Sequence, residues 1–238
     1  AGGVVVATMP MLRAAELAIV IDKARISHAL VYETLVEAVT EAQAAAPTLV
    51  QVMDSATLQT TARSQPPGIG FDAADTAADD PALIAFTSGT TGQPKGCVHG
   101  HRDILAMADT FGRHIVQLSK DDIVVGTPPI AFTFGLGGLV VFPAAVGAAT
   151  AFAPCPGFDA LAETIARHRA TALFTAPTGY RALLKLADAH DLSSLRTCVS
   201  AGEALPAATS DAWHEATGVR IIDGIGSTEM IHIFISAS

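Results

Sequence analysis

Residues 83–96 read Leu-Ile-Ala-Phe-Thr-Ser-Gly-Thr-Thr-Gly-Gln-Pro-Lys-Gly, a short apolar run that opens into four hydroxyl residues, three glycines and one lysine. Such a loop can cradle phosphate. Gly89, Gly92 and Gly96 let the backbone reach positive φ and bring its amides close to an anion. The hydroxyls of Thr87, Ser88, Thr90 and Thr91 can donate to anion oxygens, and Lys95 supplies a point charge. The spacing is not that of a Walker loop, which needs Gly-Lys-Ser/Thr after a four-residue gap, because Pro94 precedes the lysine and Gly96 follows it. An apolar strand before the loop and a helix signal after it distinguish it from an ordinary Gly/Thr turn. A second segment, Asp223-Gly224-Ile225-Gly226-Ser227-Thr228-Glu229, directly follows a β-branched run, at the carboxyl edge where ligands of parallel sheets sit.

Other chemistry-bearing residues say less by themselves. Pro128 to Gly138, reading PPIAFTFGLGG, has the composition of a Gly-rich buried helix start, and Ser200-Ala201-Gly202-Glu203-Ala204-Leu205-Pro206 that of a strand-to-helix connection with Pro at the first helical position. His99 and His101 flank Gly100 as a metal pair would. No carboxylate or thiolate stands at ligand spacing from them, and a helix N-terminus accounts for their polarity. Ser88 and Ser200 lack the G-x-S-x-G elbow of a hydrolase.

The elements that must position these residues alternate along the chain. Strand-like runs are expected at 4–8, 28–32, 48–53, 83–86, 123–127, 149–153, 172–175, 197–200 and 220–223, and amphipathic helices at 11–24, 34–45, 103–117, 161–169, 179–189 and 207–217. Residues 54–80 read as a long surface loop between two lobes, with Pro66-Pro67-Gly68 and several aspartates. This alternation predicts an α/β fold. Nine strands exceed an ordinary doubly wound sheet, so two packed, mainly parallel sheets with helices between and outside are expected, a first lobe over about 1–80 and a second over 81–238.

Half of the 238 residues are apolar and 16% are charged, which excludes disorder. The net charge of −9, with no run of Lys and Arg, argues against nucleic acid or an anionic membrane as partner. Residues 123–158 carry no charge at all, but five prolines and six glycines cut the stretch into pieces shorter than the roughly 20 residues of a spanning helix. Cys97, Cys155 and Cys198 are odd in number and widely spaced, which suits neither a disulfide framework nor a zinc site and favours a reducing cytoplasm. The first residues show no targeting composition.

Together these segments resemble the adenylate-forming enzymes, the superfamily of acyl- and aryl-CoA synthetases, luciferases and peptide-synthetase adenylation domains. Thr87 to Gly96 matches their T-S-G-T-T-G-x-P-K-G loop at every position, and the other three segments follow in the family's order. The resemblance implies that the loop closes over the β- and γ-phosphates of ATP, that Gly202, Glu203 and Ala204 lie against adenine, and that Asp223, Gly224 and Ile225 complete the nucleotide site. It further implies that Thr228 hydrogen-bonds the α-phosphate and Glu229 holds Mg²⁺, leaving Lys95, Thr228 and Glu229 as the catalytic residues. Ile225 stands where the family usually has tyrosine, so adenine would meet an aliphatic face there. The string from Asp223 to Ser236 is similar to the benzoate and 2-aminobenzoate CoA ligase branch, which implicates Phe134, Gly226, His232 and Ile233 in an aryl pocket; by residue type alone, His232 among apolar neighbours is an ordinary core histidine.

The implied activity is ATP-dependent activation of an aromatic carboxylate to an acyl adenylate, then transfer to coenzyme A. The partners would be the aryl acid, ATP and CoA, and self-association as a homodimer is a further expectation. A nucleotide-binding module without turnover and an adenylation domain loading a carrier protein are the alternatives; Ala131-Phe132-Thr133-Phe134 lacks the aspartate that the latter places near its aromatic motif. The resemblance covers the central part of the family's large domain. It predicts a fragment without the C-terminal lid and its lysine, inactive by itself.

Overall fold

The computed structural model describes residues 2–66, 70, 72–87 and 93–237. The chain divides into two compact units, Ala1–His101 and Arg102–Ser238. In the first, α1 (Ala14–Ala24), β1 (His28–Val31), a 3₁₀ turn (Glu33–Leu35), α2 (Val36–Ala45) and β2 (Gln51–Asp54) form a βαβ crossover whose two strands pair in parallel. Leu17 and Ile21, one turn apart on α1, bury against Ala42, Ala46 and Leu49. α3 (Ser55–Ser64) follows, then β3 (Pro81–Thr87) and β4 (Lys95–Gly100), which pair antiparallel.

Three local expectations change in this unit. The loop expected at 54–80 contains α3, because Asp54 caps it: its carboxylate accepts from Thr57 N and Thr57 Oγ1, both at 2.7 Å, which overrides a polar sequence with little helical periodicity. Lys95 begins a strand, not a helix. β4 returns along β3 with Thr87 opposite Lys95 and Phe86 opposite Gly96, and the helix starts only at His101, while His99 is buried inside the strand. The strand expected at 4–8 shrinks to a bridge between Val5 and Leu83. That bridge, with Val5 N on Ala82 O and Ile84 N on Val5 O, both at 2.9 Å, keeps the β3–β4 hairpin in the first unit, so the division falls after residue 101.

The second unit runs through α4 (His101–Met107), which starts on the last residue of the first unit, and a π-helical segment (Ala108–Val116). Then come β5 (Ile123–Gly126), α5 (Thr133–Leu136), a second π segment (Gly137–Val141), α6 (Phe142–Val146), β6 (Ala149–Thr150) and α7 (Phe158–His168). β7 (Ala172–Thr175), α8 (Pro177–Leu184), β8 (Thr197–Ser200), α9 (Ala207–Thr217), β9 (Ile221–Gly226) and β10 (Ile233–Ala237) complete it. Its six strands form one sheet in the order β10-β9-β8-β7-β5-β6, parallel except for β10, which runs antiparallel to β9. The α/β class and the largely parallel main sheet therefore stand, while the four strands of the first unit make two separate pairs.

Apolar runs in β5, β7 and β8 are buried on both faces, as a central parallel strand requires. Leu161 and Ile165 of α7, Tyr180 and Leu183 of α8 and Trp213 of α9 fill the main core against them. Pro206 is the N-cap of α9 and not its first residue. The uncharged stretch 123–158 is cut into β5, α5, α6 and β6, and among the described residues no helix is long and apolar enough to cross a membrane.

Candidate functional site

Parallel pairing aligns the carboxyl ends of β7 and β8 with the middle of β9, placing Thr175 opposite Ser200 and Ser200 opposite Asp223. Thr127, one residue past β5, shares a 2.6 Å hydroxyl–hydroxyl bond with Thr175. Three otherwise apolar strands thus end in polar side chains along one edge. Ser200 Oγ and Asp223 Oδ1 are buried and have no hydrogen-bond partner among the described residues. A buried polar atom without a partner costs about 1–3 kcal/mol, so a row of them at a sheet's ligand-binding edge is what a polar ligand would satisfy. Beyond β8, Gly202 turns the chain with φ 92°, a left-handed conformation with nothing within 4 Å of where a β-carbon would stand, and Glu203 and Ala204 are exposed beside it.

The second constellation lies at the β9–β10 turn. Ile233 pairs with Gly226, and a β-carbon on Gly226 would stand 2.9 Å from His232 O, so only glycine lets the turn close. Ser227 Oγ accepts from Met230 N at 3.2 Å, and Ile231 N donates to Thr228 O at 3.1 Å. The turn delivers His232 into an aromatic box. Its ring centroid is 4.7 Å from Phe142, 5.3 Å from Phe111 and 5.7 Å from Phe134, and its Nε2 donates to Phe134 O at 3.3 Å. The side chain is 2% exposed, and burial among these rings pushes its pKa down to about 4, so the imidazole is neutral at neutral pH. With the proton on Nε2, Nδ1 is a buried acceptor that finds no partner among the described residues.

These contacts bring Phe134, Gly226, His232 and Ile233, expected to line one pocket, into one cluster. Asp223 and Gly224 lie on the same strand, and the Ile233 side chain packs over Gly224. Ile225 is 64% exposed, Thr228 half-buried and Glu229 exposed. Among the described residues no three His, Cys, Asp or Glu side chains converge as a metal cage would require.

The phosphate-loop candidates belong to the first unit. Ser88, Gly89, Thr90, Thr91 and Gly92 lie outside the described residues. The stems on either side are β3, ending in half-buried Thr87, and β4, beginning with exposed Lys95. Lys23 Nζ, at the end of α1, donates to Pro94 O at 2.8 Å and ties down the second stem.

Several contributors were not singled out as site residues from the sequence. Phe111 and Phe142 build the box but sit in stretches that read only as helix or buried apolar chain, and Gly137 stood unassigned within its motif. Thr175 and Lys23 were likewise passed over. A hydroxyl closing an apolar strand is the signal that would have found Thr175.

Comparison with known proteins agrees with this geometry. Benzoate–CoA ligase of Thauera aromatica is 41% identical over 169 residues, which take in 70% of this chain and 32% of that protein. The crystal structure of the anthranilate CoA ligase AuaEII in complex with anthranoyl-AMP has a TM-score of 0.89 at 38% identity, over 96% of this chain and 45% of that one. A benzoate CoA ligase from Burkholderia xenovorans LB400 has a TM-score of 0.83 at 30% identity, over 96% and 46% of the two chains. The chain therefore spans about a third to just under half the length of these relatives. All 238 residues match one family, and with the fold shared at this identity the chain belongs to the AMP-binding enzymes.

Proposed function

We propose that the complete protein is an AMP-forming aryl–CoA ligase acting on benzoate or 2-aminobenzoate. The observation that carries this reading is the adjacency, along β8, β9 and the turn into β10, of unsatisfied polar groups and an aromatic box. Ser200 ends β8 opposite Asp223 of β9, and their buried Oγ and Oδ1, unpartnered among the described residues, suit the polar edge of a nucleotide base. One turn further on, His232 and Ile233 are buried beside half-buried Phe134 in an apolar, aromatic surrounding that suits a benzene ring better than a charged group.

On this reading the aryl carboxylate oxygen attacks the α-phosphorus of ATP, the bond from that phosphorus to the α,β-bridging oxygen breaks, and pyrophosphate leaves with its electron pair. CoA thiolate then attacks the acyl carbon, and AMP departs. Neither step needs a protein nucleophile. The chain's own residues bind, orient and neutralise. Asp223 and Ser200 fix the base and Thr228 donates to the α-phosphate, while the likeness of Thr87 to Gly96 to the family's loop assigns Thr87 and Lys95 to the β- and γ-phosphates. Glu229 is an exposed carboxylate that belongs to no cluster of three ligating side chains among the described residues, which fits a magnesium ion taking its other ligands from phosphate and water. When bound, that ion would offset phosphate charge. Buried Cys198, whose thiol burial pushes up to about 12, is no candidate nucleophile, and the three cysteines, none in a disulfide, fit a reducing cytoplasm.

Pyrophosphate exchange with a panel of benzoates tests the reading. Exchange should depend on an aromatic acid, and Lys95→Ala should lower it roughly 10²- to 10³-fold, the loss typical of removing one preorganised donor. Exchange supported by aliphatic acids and not by benzoates would overturn it.

A further inference from the structure

A β-carbon at residue 137 would stand 2.3 Å from His232 Cδ2, 2.7 Å from its Nε2 and 3.2 Å from Phe142 Cζ. The imidazole therefore fills the volume that any other residue at 137 would claim. It cannot simply retreat. Phe142 meets it edge-on, and Phe111 and Phe142 are both buried. Phe142 is itself backed by Phe174, at 6.2 Å between centroids, and by Gly112, whose own β-carbon would lie 2.9 Å from Phe142 Cδ1.

The backbone beneath His232 is equally confined. Its N–H donates to Met230 O at 2.8 Å, and Ile231 holds φ 62°, a left-handed conformation that a β-branched residue adopts only where its surroundings enforce it. Displacement must then come from rotation of the ring. The one half-buried member of the box is Phe134, so the ring's way out leads toward Phe134, off the carbonyl that Nε2 now bonds.

We infer that Gly137 is a specificity-determining position that acts through His232: the missing side chain at 137 seats the imidazole in its box and thereby sets the depth of the aryl pocket. The inference rests on the aryl-acid reading above. Gly137 is a positioning residue, and it chooses among aromatic acids without touching the nucleotide. A methyl at 137 turns the imidazole into space that a ring substituent would use, so substituted benzoates suffer more than benzoate.

The test is Gly137→Ala in the complete protein, read by pyrophosphate exchange with benzoate, 2-aminobenzoate and 4-methylbenzoate. kcat/KM should fall roughly 10- to 100-fold further for the substituted acids than for benzoate, the range one misplaced methyl group commands in a pocket, with the KM for ATP unchanged. The His232 ring signals in a proton–nitrogen NMR spectrum should move. In a His232→Ala background the added methyl drops into vacated space, so Gly137→Ala should then alter the ranking by less than about twofold. An unchanged ranking in the single variant, or an equal effect in both backgrounds, overturns the inference. Should the single variant fail to fold, the double variant decides. A folded double variant with the ranking of His232→Ala supports the clash with the imidazole, and an unfolded one refutes it. If His232→Ala changes the ranking and Gly137→Ala does not, only this inference falls; if neither does, the aryl-acid reading falls with it.

Discussion

The two ends of the six-stranded sheet treat buried polar groups in opposite ways. At the amino ends, Asp122, Thr171 and Arg196 stand immediately before β5, β7 and β8. Arg196 reaches Asp122 with Nε at 2.9 Å and with Nη2, Thr171 Oγ1 donates to the same carboxylate at 2.6 Å, and Ser119 donates through N at 2.7 Å and Oγ at 2.9 Å. Burial alone would raise the Asp122 pKa. The Arg196 guanidinium and the surrounding donors outweigh it and hold the carboxyl well below the usual range. At the carboxyl ends, Ser200 Oγ, Asp223 Oδ1 and His232 Nδ1 are buried without partners among the described residues. A satisfied network rigidifies a fold, whereas an unsatisfied one stores a cost that a ligand can relieve. One sheet therefore carries its structural clasp at one end and its candidate binding edge at the other.

The largest effect should come from breaking the clasp. Arg196→Met leaves Asp122 charged, 3% exposed and unpaired, and should lower unfolding free energy by about 3–5 kcal/mol in a denaturant titration. A loss below about 1 kcal/mol would mean that solvent already supports the carboxylate. Because the folded pKa of Asp122 is depressed, its contribution is present above the ordinary aspartate value of 3.8 and is lost only as pH falls below it.

His232 tests the carboxyl end by pH. Its pKa is depressed from 6.5 to about 4, so the unfolded chain binds a proton that the folded one refuses across that window. Stability should fall as pH drops from 6.5 toward 4, by about 3 kcal/mol at most, and His232→Gln should remove that slope. Identical pH profiles for the two proteins would place the imidazole in contact with water.

The smallest effect separates binding from folding. Asp223→Asn and Ser200→Ala alter buried oxygens that have no partner among the described residues, so stability should change by less than about 1 kcal/mol while the KM for ATP rises by the equivalent of about 1.5–3 kcal/mol for a hydrogen bond to a charged group. Large destabilisation with unchanged nucleotide affinity would make the carboxyl end a second clasp.

Legibility in the sequence followed locality. β7, β8 and α9 lie within the residues predicted for them, because buried runs of Ala, Leu, Phe, Val and Cys and an apolar period of three to four are written in consecutive residues. β4 and β10 escaped: β4 is rich in Gly and His, β10 follows a Gly-rich turn, and both are largely exposed strands held by the partner strand beside them. The candidate site divides the same way. Phe134, Gly226, His232 and Ile233 were legible as members of motifs, yet Phe111 and Phe142 close the box from helical segments far away in the chain.

By itself the sequence determined which residues could carry chemistry, the alternation that makes an α/β fold, and the family resemblance, all consequences of residue type at short spacing. Tertiary structure alone decided that Asp122 is paired while Asp223 Oδ1 finds no partner among the described residues, since both are aspartates beside a β-branched run. It also decided that Gly137 is the floor beneath His232, because that contact joins residues 95 positions apart and depends on how closely two backbones can pack.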